Sequence, residues 1–583
     1  MKTVVGEKYL WSLPQYDASQ ALELAHAYNI SVPIAQTLFN RGIKTKEQAD
    51  SFLFTSFEKD VAHPARMKDA QKAVERIIRA IDTHERILIF GDYDVDGITA
   101  TSLMLICLMP LGANVNFYLP HRVKDGYGLS KKVVSKAAAS NYSLIITVDN
   151  GITAHEAVTC ARDLSIDVII TDHHRPHEKI PPAYAVVNPA QEDCSYPFKK
   201  LAGVGVIFKV LSLLYEYKGL TLPSKAYELM LLGTVADVVP LIAENRYWVR
   251  HGLQLVNKQE SYAFKVMKKN INNSKPSISS LDIGFNFAPQ LNALGRLDDP
   301  RQGVSFLVGS DCNEIDRVGV VLHELNHARK SVERDILKQV VAEVEAGRID
   351  LSRENIILAA GNNWSPGVIG LVASRLVGLY GRPTLLFHID KNGLAKGSCR
   401  SIGAFNMFDA LASCQDLLLT FGGHSQAAGL SLTIDNLPKL KEHLEKLLIE
   451  QVKPEELRQK LSIDAEISMG DVNKKLISDV QHLEPFGHEN PQPLFLLKKV
   501  SLLEAPQLLK DEHVKCRLFA DGVIKPLIFF NRPELYKKLQ DQDTEPFDVA
   551  VKITENYWRD QVSIELLGED LTGLKSISEG SNA

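Results

Sequence analysis

The sequence predicts an α/β protein in which two α/β domains are joined by a long helix and followed by a small C-terminal β-barrel. Three features indicate this architecture. From residue 86, short apolar runs alternate with helical segments, and residues 313–346 carry one continuous helical pattern. Roughly the last 120 residues consist mainly of short β-type runs.

Length and composition limit the class of protein. The chain has 583 residues, 45% apolar and 23% charged, with a formal net charge of −5. This length implies about three to five domains, and the apolar fraction excludes a mainly disordered chain. Neither a long apolar stretch nor a cleavage site is present, so we expect no membrane-spanning helix and no signal peptide. Seven scattered cysteines without a C-x-x-C pair favour reduced thiols and a cytoplasmic protein.

The first 80 residues are interpreted as an N-terminal helical arm, and residues 81–300 as a parallel-sheet domain. In the second segment, runs rich in Ile, Val and Leu are separated by helices. This pattern is typical of a parallel sheet covered on both faces. The predicted strands are 87–90, 115–119, 144–148 and 168–171.

The longest helical pattern predicts a connection between domains. Apolar residues repeat at helical spacing from 313 to 346, which would give a helix roughly 50 Å long within a linker at 301–350. The segments that follow are predicted as a second α/β domain at 351–452, a barrel at 453–572 and a tail at 573–583. Short strands with one intervening helix suit an OB-fold.

Acidic residues follow the predicted parallel strands. The strand at 87–90 leads into Asp92, Asp94 and Asp96, and an extended chain would point all three carboxylates to one side. Other segments contribute Asp149, Asp172, His173, His174 and Asp237. Open α/β sheets bind ligands at the carboxyl ends of their strands, so we expect these groups to converge.

Carboxylates gathered in this way repel one another unless a cation is present. Any single acid could be a helix N-cap, and Asp172 fits that alternative. Helix capping does not account for a run of three aspartates. Carboxylates and imidazoles without a thiolate favour Mn²⁺ or Mg²⁺ over zinc. Asp149 is central and could bridge two ions about 3.5–4 Å apart, the arrangement used in phosphate hydrolysis.

These residues carry a resemblance to a known family. The triplet Asp172-His173-His174, taken with the other acids in this order, resembles the DHH phosphoesterase superfamily. The wider pattern covers essentially the whole chain and is similar to one bacterial branch of it. Its motifs are HRVKDGYGL (121–129), PQLNALGR (289–296), WSPGVIG (364–370), GSCRS (397–401), GGHSQAAG (422–429) and PFGHENP (485–491).

The resemblance implies a role for each site residue. The two metal ions, Mn²⁺ or Mg²⁺, would be held by Asp92, Asp94, Asp149, His173 and Asp237. The catalytic set would be completed by Asp96 and Asp172, which orient other groups, and by His174, which contacts the scissile phosphate or acts as an acid. The two α/β regions would be the parallel-sheet DHH domain and the DHH-associated domain.

The resemblance also implies an activity. The branch hydrolyses single-stranded DNA from the 5′ end to mononucleotides, in repair and recombination, so the expected partners are such a strand, a helicase and a single-strand-binding protein. A monomer is expected. The terminal phosphate would bind Arg122, Arg296, Ser398 and Arg400. Further substrate contacts would come from Tyr127, Asn292, Arg375, Gly422, Gly423 and His424.

Three alternatives remain at this point. A dinucleotide phosphodiesterase or pyrophosphatase of the same superfamily would need only the two α/β domains. A non-catalytic scaffold would be expected to have lost ligands, and none is missing. An NTPase acting with DNA is disfavoured, because no G-x-x-x-x-G-K-[ST] motif occurs. The barrel region 451–583 has 17 Lys and Arg against 23 Asp and Glu, so it predicts no broad basic surface.

Overall fold

A computed structural model describes residues 2–15, 17–122, 125–126, 128–271, 275–542, 545–558 and 561–574. The chain divides into two compact units. The first combines segments within 1–60 and 458–583, and the second combines 61–273 with 277–457. Within the described ranges, none of the helices combines the length and the apolar character needed to cross a membrane.

The N-terminal segment of the first unit contains two strands and four helices. They are β1 (Thr3–Val5), β2 (Leu10–Ser12), α1 (Ala18–Tyr28), α2 (Val32–Asn40), α3 (Lys46–Leu53) and α4 (Phe57–Asp60). The helices confirm the periodicity in the sequence, and α3 begins with a capping box formed by Thr45 and Gln48. The two strands were not predicted, because three residues are too few to show alternation.

The second unit begins with the parallel-sheet domain. Its first elements are α5 (Ala70–Asp82), β3 (Arg86–Phe90), α6 (Val95–Leu108), β4 (Asn114–Tyr118), α7 (Lys131–Ala139), β5 (Leu144–Val148), α8 (His155–Asp163), β6 (Asp167–Thr171) and β7 (Ala185–Val187). The strand order is β4-β3-β5-β6-β7, and every pairing is parallel. The four predicted strands and the α/β class are confirmed, and β7 was missed.

The strand order places a crevice at the carboxyl end of the sheet. The chain passes from β3 to β4 on one side and then returns to β5 on the other, so β3 and β5 flank the topological switch point. Ligands bind at this place in open α/β sheets. All five residues of β5 are buried, because helices cover both faces of the sheet.

A helical layer completes the first domain of this unit. It contains α9 (Gly203–Tyr217), α10 (Lys225–Ala236), α11 (Ala243–Lys258), α12 (Tyr262–Asn270), α13 (Ser280–Asp282), a π-helical turn (Ile283–Phe287), α14 (Ala288–Leu297) and α15 (Arg301–Val308). The π turn is followed by Pro289, which has no N–H for a regular helical bond. The backbone N–H of Ala288 instead donates to the carbonyl of Ile283.

The long helix α16 (Cys312–Glu345) has 34 residues and confirms the prediction. It leads into β8 (Ile357–Gly361), α17 (Ile369–Tyr380), β9 (Thr384–Ile389), β10 (Leu394–Arg400), α18 (Met407–Ala412), β11 (Thr420–His424), β12 (Ala427–Thr433) and α19 (Leu437–Gln451). The sheet order is β11-β12-β10-β9-β8. Only β8 and β9 pair in parallel, and the other neighbours are antiparallel.

The C-terminal part of the first unit contains a closed barrel. Its elements are β13 (Lys460–Ser462), β14 (Ala465–Ile467), α20 (Lys474–His482), β15 (Phe495–Leu502), β16 (Gln507–Leu509), β17 (His513–Ala520), β18 (Val523–Phe529), α21 (Glu534–Gln542), β19 (Phe547–Trp558) and β20 (Gln561–Thr572). The ring runs β15-β17-β18-β20-β19 and closes by the pairing of β19 with β15. Five strands in this order, with a helix between the third and fourth, form an OB-fold.

Asp570 joins the N-terminal strands to this barrel. Its side chain is fully buried and accepts hydrogen bonds from the backbone N–H groups of Lys8 and Tyr9 and from the indole N–H of Trp11. The Nη2 atom of Arg532 lies 3.6 Å from its carboxylate. A buried charge needs such partners, so Asp570 fixes the position of the first strands.

We expect Asp570→Ala to lower the free energy of unfolding of the first unit by about 2–4 kcal/mol, because the buried indole N–H of Trp11 and two part-buried backbone N–H groups would lose their acceptor. Calorimetric unfolding would measure the change. Glu569→Gln is a suitable control, since this neighbour is part-exposed and pairs with Lys552 at the surface. Equal melting temperatures for Asp570→Ala and the control would contradict the assignment.

Candidate metal centre and substrate cleft

The predicted acids and imidazoles gather at the carboxyl end of the parallel sheet. Asp92 follows β3, Asp149 follows β5, and Asp172 with its two histidines follows β6. The remaining carboxylate, Asp237, is the C-cap of α10. The expectation that strand ends bring these side chains together is therefore confirmed in geometry.

The reason given for the convergence of Asp92, Asp94 and Asp96 is wrong. The chain does not stay extended after β3: Asp94 is the N-cap of α6 and accepts from the N–H of Gly97, and Asp96 lies in the first helical turn. The oxygens of Asp96 accept from the N–H groups of Gly203 (2.6 Å) and Val204 (2.8 Å). Asp96 thus binds the N-terminus of α9, whose dipole favours a negative charge.

Two glycines allow the backbone to approach these acids. A Cβ at Gly97 would lie 2.5 Å from the backbone nitrogen of Asp92, and a Cβ at Gly203 would lie 2.6 Å from the Cβ of Asp149. Neither distance is tolerable, so both positions require glycine. Asp149 has a φ of 63°, a left-handed conformation that Asp and Asn adopt more readily than most residues.

The ligand atoms form three overlapping groups. Within each group the atoms lie within 4.8 Å of one another. The groups are Asp92 with Asp94 and Asp149, then Asp149 with His173 and His174, and then Asp96 with His173 and Asp237. Asp149 belongs to two groups, as a bridging ligand would. Its Oδ1 lies 3.1 Å from Nε2 of His173, and Oδ2 of Asp237 lies 3.6 Å from the same nitrogen.

Burial and mutual repulsion disfavour the charged carboxylates. Burial raises the pKa of Asp92, Asp149 and Asp237 well above the usual value, and neighbouring aspartates raise it further. Burial and the charge of Asp94 raise the pKa of Asp96 to about 7. The centre is therefore under electrostatic strain that a divalent cation would relieve.

The two histidines differ because His174 forms a hydrogen bond to a carboxylate, whereas Nε2 of His173 lies near carboxylates without such a bond. Its Nδ1 lies 2.7 Å from Oδ1 of Asp172. Burial alone would lower the pKa of His174, but the hydrogen bond and the charge of Asp172 outweigh it and raise the pKa. Burial and the neighbouring His174 lower the pKa of His173 to about 4. His173 is consequently a neutral imidazole, the form that binds a metal.

The donor set fits Mn²⁺ or Mg²⁺. Among the described residues, Oδ1 of Asp92 and Nε2 of His173 are buried without a hydrogen bond of acceptable geometry. Buried polar atoms of this kind need a partner. Carboxylate oxygens with one or two imidazoles, and no thiolate, match the preference of these ions.

Arginines from both α/β domains converge beside the metal centre. Arg296 donates from Nη1 to the carbonyl of Gly367 at 2.8 Å, and burial together with the charges of Arg122, Arg329 and Arg400 lowers its pKa to about 10. Because these guanidinium groups repel one another, the cluster favours the binding of an anion. The structure therefore brings together three of the arginines suggested for the phosphate pocket and one that was not suggested.

The fourth suggested pocket residue, Ser398, lies beside one of these arginines. Nη1 of Arg400 lies 3.2 Å from the Ser398 hydroxyl and donates to the carbonyl of Cys399. Gly370, in the first turn of α17, faces both side chains, since a Cβ there would lie 2.8 Å from the hydroxyl. Arg122 lies over the ring of Tyr93, 4.9 Å from its centroid.

The other suggested substrate residues differ in placement. Asn292 is part-buried on α14, one turn before Arg296. Arg375 on α17 forms an ion pair with Glu333. Gly422, Gly423 and His424 end β11, an exposed strand that pairs with β12. Tyr127 lies outside the described residues.

Three contributors could not be identified from the sequence. The N–H groups of Gly203 and Val204 are backbone donors, and the glycine-rich run 202–205 was the only signal for them. Arg329 gave no signal, because single arginines are common on a long polar helix. In the structure only 9% of Arg329 is exposed.

Family models match three parts of the chain. The family model for the DHH family N-terminal domain matches residues 86–234, the DHHA1 domain matches 353–450, and the RecJ OB domain matches 463–570. The chain is 34% identical to the single-stranded-DNA-specific exonuclease RecJ of Bacillus subtilis (strain 168), covering 97% of this chain and 71% of the relative. The protein of the same name from Escherichia coli (strain K12) is 34% identical, with 92% and 96% covered.

The chain belongs to the RecJ family. A crystal structure of RecJ in complex with Mn²⁺ from Thermus thermophilus matches with a TM-score of 0.82 and 27% identity, covering 97% of this chain and 80% of that one. A crystal structure of exonuclease RecJ bound to manganese matches with a TM-score of 0.59 and 31% identity, covering 67% and 97%. Both RecJ structures contain the ion that the donor set of this chain fits.

We expect Asp149→Asn to stabilise the metal-free protein and to abolish stabilisation by Mn²⁺. A raised pKa means that the ionised carboxylate opposes folding at pH 7, and a neutral amide removes this effect. Wild-type protein should melt at a higher temperature with Mn²⁺, because a ligand of the folded state stabilises it. Thermal unfolding with EDTA and with Mn²⁺ would test both points. A variant that responds to Mn²⁺ like wild type would contradict the bridging role.

Proposed function

We propose that this protein is an exonuclease that hydrolyses single-stranded DNA from the 5′ end to mononucleotides, using two Mn²⁺ or Mg²⁺ ions. The observation that carries the proposal is the convergence of five aspartates and two histidines beside a cluster of arginines. The names of the similar proteins support the substrate class. The role is in DNA repair and recombination.

In this mechanism the ions, when bound, lower the pKa of water and stabilise the attacking and leaving oxygens of an in-line displacement. Asp92, Asp94, Asp149, His173 and Asp237 would hold them, and Asp149 would be the ligand common to both. Asp96 keeps the start of α6 against the N-terminus of α9 through two backbone bonds.

The remaining catalytic pair handles the proton and the phosphate. Asp172 accepts from Nδ1 of His174, which leaves Nε2 to contact the scissile phosphate or to protonate the leaving oxygen. Because the carboxylate raises the pKa of His174, a larger fraction of the imidazole is a proton donor near neutral pH.

Recognition of the 5′ end is assigned to the arginine pocket. Arg122, Arg296 and Arg400 supply planar guanidinium groups, which bind phosphate in a bidentate manner, and Ser398 supplies a hydroxyl. The hairpin of Gly422, Gly423 and His424 is exposed and available to the backbone of the strand. Asn292 and Tyr127 remain proposed contacts on the same basis of resemblance.

The presence of an OB-fold favours a polymer substrate over a dinucleotide. OB-folds bind single strands through a local groove. In this barrel several cations already have acidic partners: Lys498 lies 2.5 Å from Glu466, and Lys552 lies 2.5 Å from Glu569. We therefore assign the barrel a limited grip, with most of the phosphate affinity in the other unit.

The partners and the location follow from the same proposal. An exonuclease of single strands depends on a helicase to generate them and on a single-strand-binding protein to keep them open. The protein acts as a monomer in the cytoplasm. All seven cysteines are free thiols, which supports a reducing compartment.

Digestion of 5′-labelled, 3′-labelled and duplex DNA with Mn²⁺ tests the proposed function. The 5′ label should appear at once as a mononucleotide, while the 3′-labelled strand shortens progressively and the duplex resists. A preference for dinucleotides would instead support a small-substrate phosphodiesterase. Intact 5′-phosphorylated strands would support a non-catalytic scaffold.

We expect Asp149→Asn to lower the rate of strand hydrolysis by about 1,000-fold or more, because the main electrostatic stabilisation of the transition state depends on the bridged ions. Single-turnover hydrolysis of a labelled strand would measure the loss. Asp163→Asn, an exposed residue at the end of α8, is the matched control and should retain full activity. An active Asp149→Asn protein would refute the assignment.

We expect Arg400→Ala to weaken binding of 5′-phosphorylated strands by about 10-fold, and binding of 5′-hydroxyl strands by less, because one charge-assisted contact is lost. Equilibrium binding of the two strands in EDTA would measure the ratio. Arg353→Ala removes an exposed arginine of the same α/β region and serves as the control. An unchanged ratio would place the end pocket elsewhere.

A further inference from the structure

Glu333 on the long helix holds two arginines that belong to different elements. One carboxylate oxygen accepts from Nη1 of Arg329 at 2.6 Å, and the other lies 2.5 Å from Nε of Arg375. Arg329 is one turn earlier on α16, whereas Arg375 is on α17 of the second α/β domain. The side chain of Glu333 is 4% exposed.

This arrangement differs from an ordinary pair on a helix surface. Glu314 on the same helix lies 3.8 Å from Arg317, and both side chains are exposed, so their pair contributes little. A buried carboxylate must be fully satisfied to be tolerated. Glu333 meets this condition only because a second element supplies a cation, and two guanidinium groups leave the cluster with a net positive charge.

Packing alone accounts for the contact between the two helices. Ile336 and Val340 of α16 lie in one buried apolar cluster with Val372, Ala373 and Leu376 of α17. Burial of these apolar side chains stabilises the contact. The fold therefore does not need an ion pair at this place, and the charges require another explanation.

Two observations link the cluster to the arginine pocket. Arg329 is among the cations that lower the pKa of Arg296. The first turn of α17 carries Gly370, which faces Ser398 and Arg400, and Arg375 lies five residues further along the same helix. The side chain of Arg375 is 57% exposed despite its bond to Glu333, so its guanidinium group is accessible to a ligand.

We propose that Glu333 is a positioning residue, which orients Arg329 and Arg375 so that a phosphodiester of the bound strand meets prearranged cations next to the arginine pocket. The inference rests on the proposed function, since it assumes a single-stranded polynucleotide as substrate. Without the carboxylate, two long arginine side chains would have to be ordered at the time of binding, at a cost in conformational entropy.

Binding and kinetics of Glu333→Gln test the proposal. The amide keeps the size of the side chain but presents an N–H group to one of the arginines. We expect the Kd for a 5′-phosphorylated 20-nucleotide oligothymidylate, measured in EDTA, to rise about 10-fold. With Mn²⁺, KM should rise by a similar factor and kcat should change much less. Glu333→Asp, which keeps the charge, should be intermediate, and Glu314→Gln should match wild type.

A double-mutant cycle separates positioning from a structural role. If Glu333 acts through Arg375, Glu333→Gln should have little further effect on Kd in an Arg375→Met background. Full additivity in that background and in an Arg329→Met background would overturn the proposal. Wild-type affinity of a folded Glu333→Gln protein, or a loss confined to kcat, would overturn it as well.

The readouts also distinguish this inference from the proposed function. Wild-type protein that binds the oligonucleotide without cleaving it would refute the exonuclease, while the Kd series would still decide the role of Glu333. Wild-type protein that cleaves the strand, together with variants of unchanged Kd and KM, would refute only the role of Glu333. The melting temperature of each variant verifies that the comparison is made between folded proteins.

Discussion

Repulsion between buried carboxylates is the constraint on which the rest of this structure depends. Several acids share a crevice with little access to water, and burial alone disfavours their charge. The surrounding fold reduces the cost in separate ways: the N-terminus of α9 binds Asp96, and His174 binds Asp172. The remaining repulsion makes this carboxylate site selective for small divalent cations.

Cations reach the cleft from two sources with different physical properties. Metal ions are exchangeable, and they complete the sheet edge only when they are bound. Arginines are permanently charged and covalently fixed, so in the proposed function they would define where a phosphate lies relative to the metals. A net charge of −5 reveals neither source, because both act within a few ångströms and overall charge is a property of the whole surface.

The sequence predicted those parts of the site that follow from strand order. Runs such as Leu144–Val148 are apolar throughout, and the acids after them must meet at one edge of a parallel sheet. The conformation between Asp92 and Asp96 was not predictable from spacing, because alternate acids fit both a strand and a capped helix start. Contacts between residues far apart in the sequence could not be predicted either. The backbone N–H of Gly203 donates to Asp96, which is 107 positions away in the sequence. Glu333 contacts Arg375 only because two helices pack together.

The bond between Trp11 and Asp570 spans 559 positions of the chain. During synthesis, the first strands leave the ribosome long before their acceptor is made. At about 5–20 residues per second, the delay is roughly half a minute to two minutes. The donor groups of Lys8, Tyr9 and Trp11 must therefore lack this acceptor while residues 61–457 are completed, so this segment is among the last that can complete its native contacts.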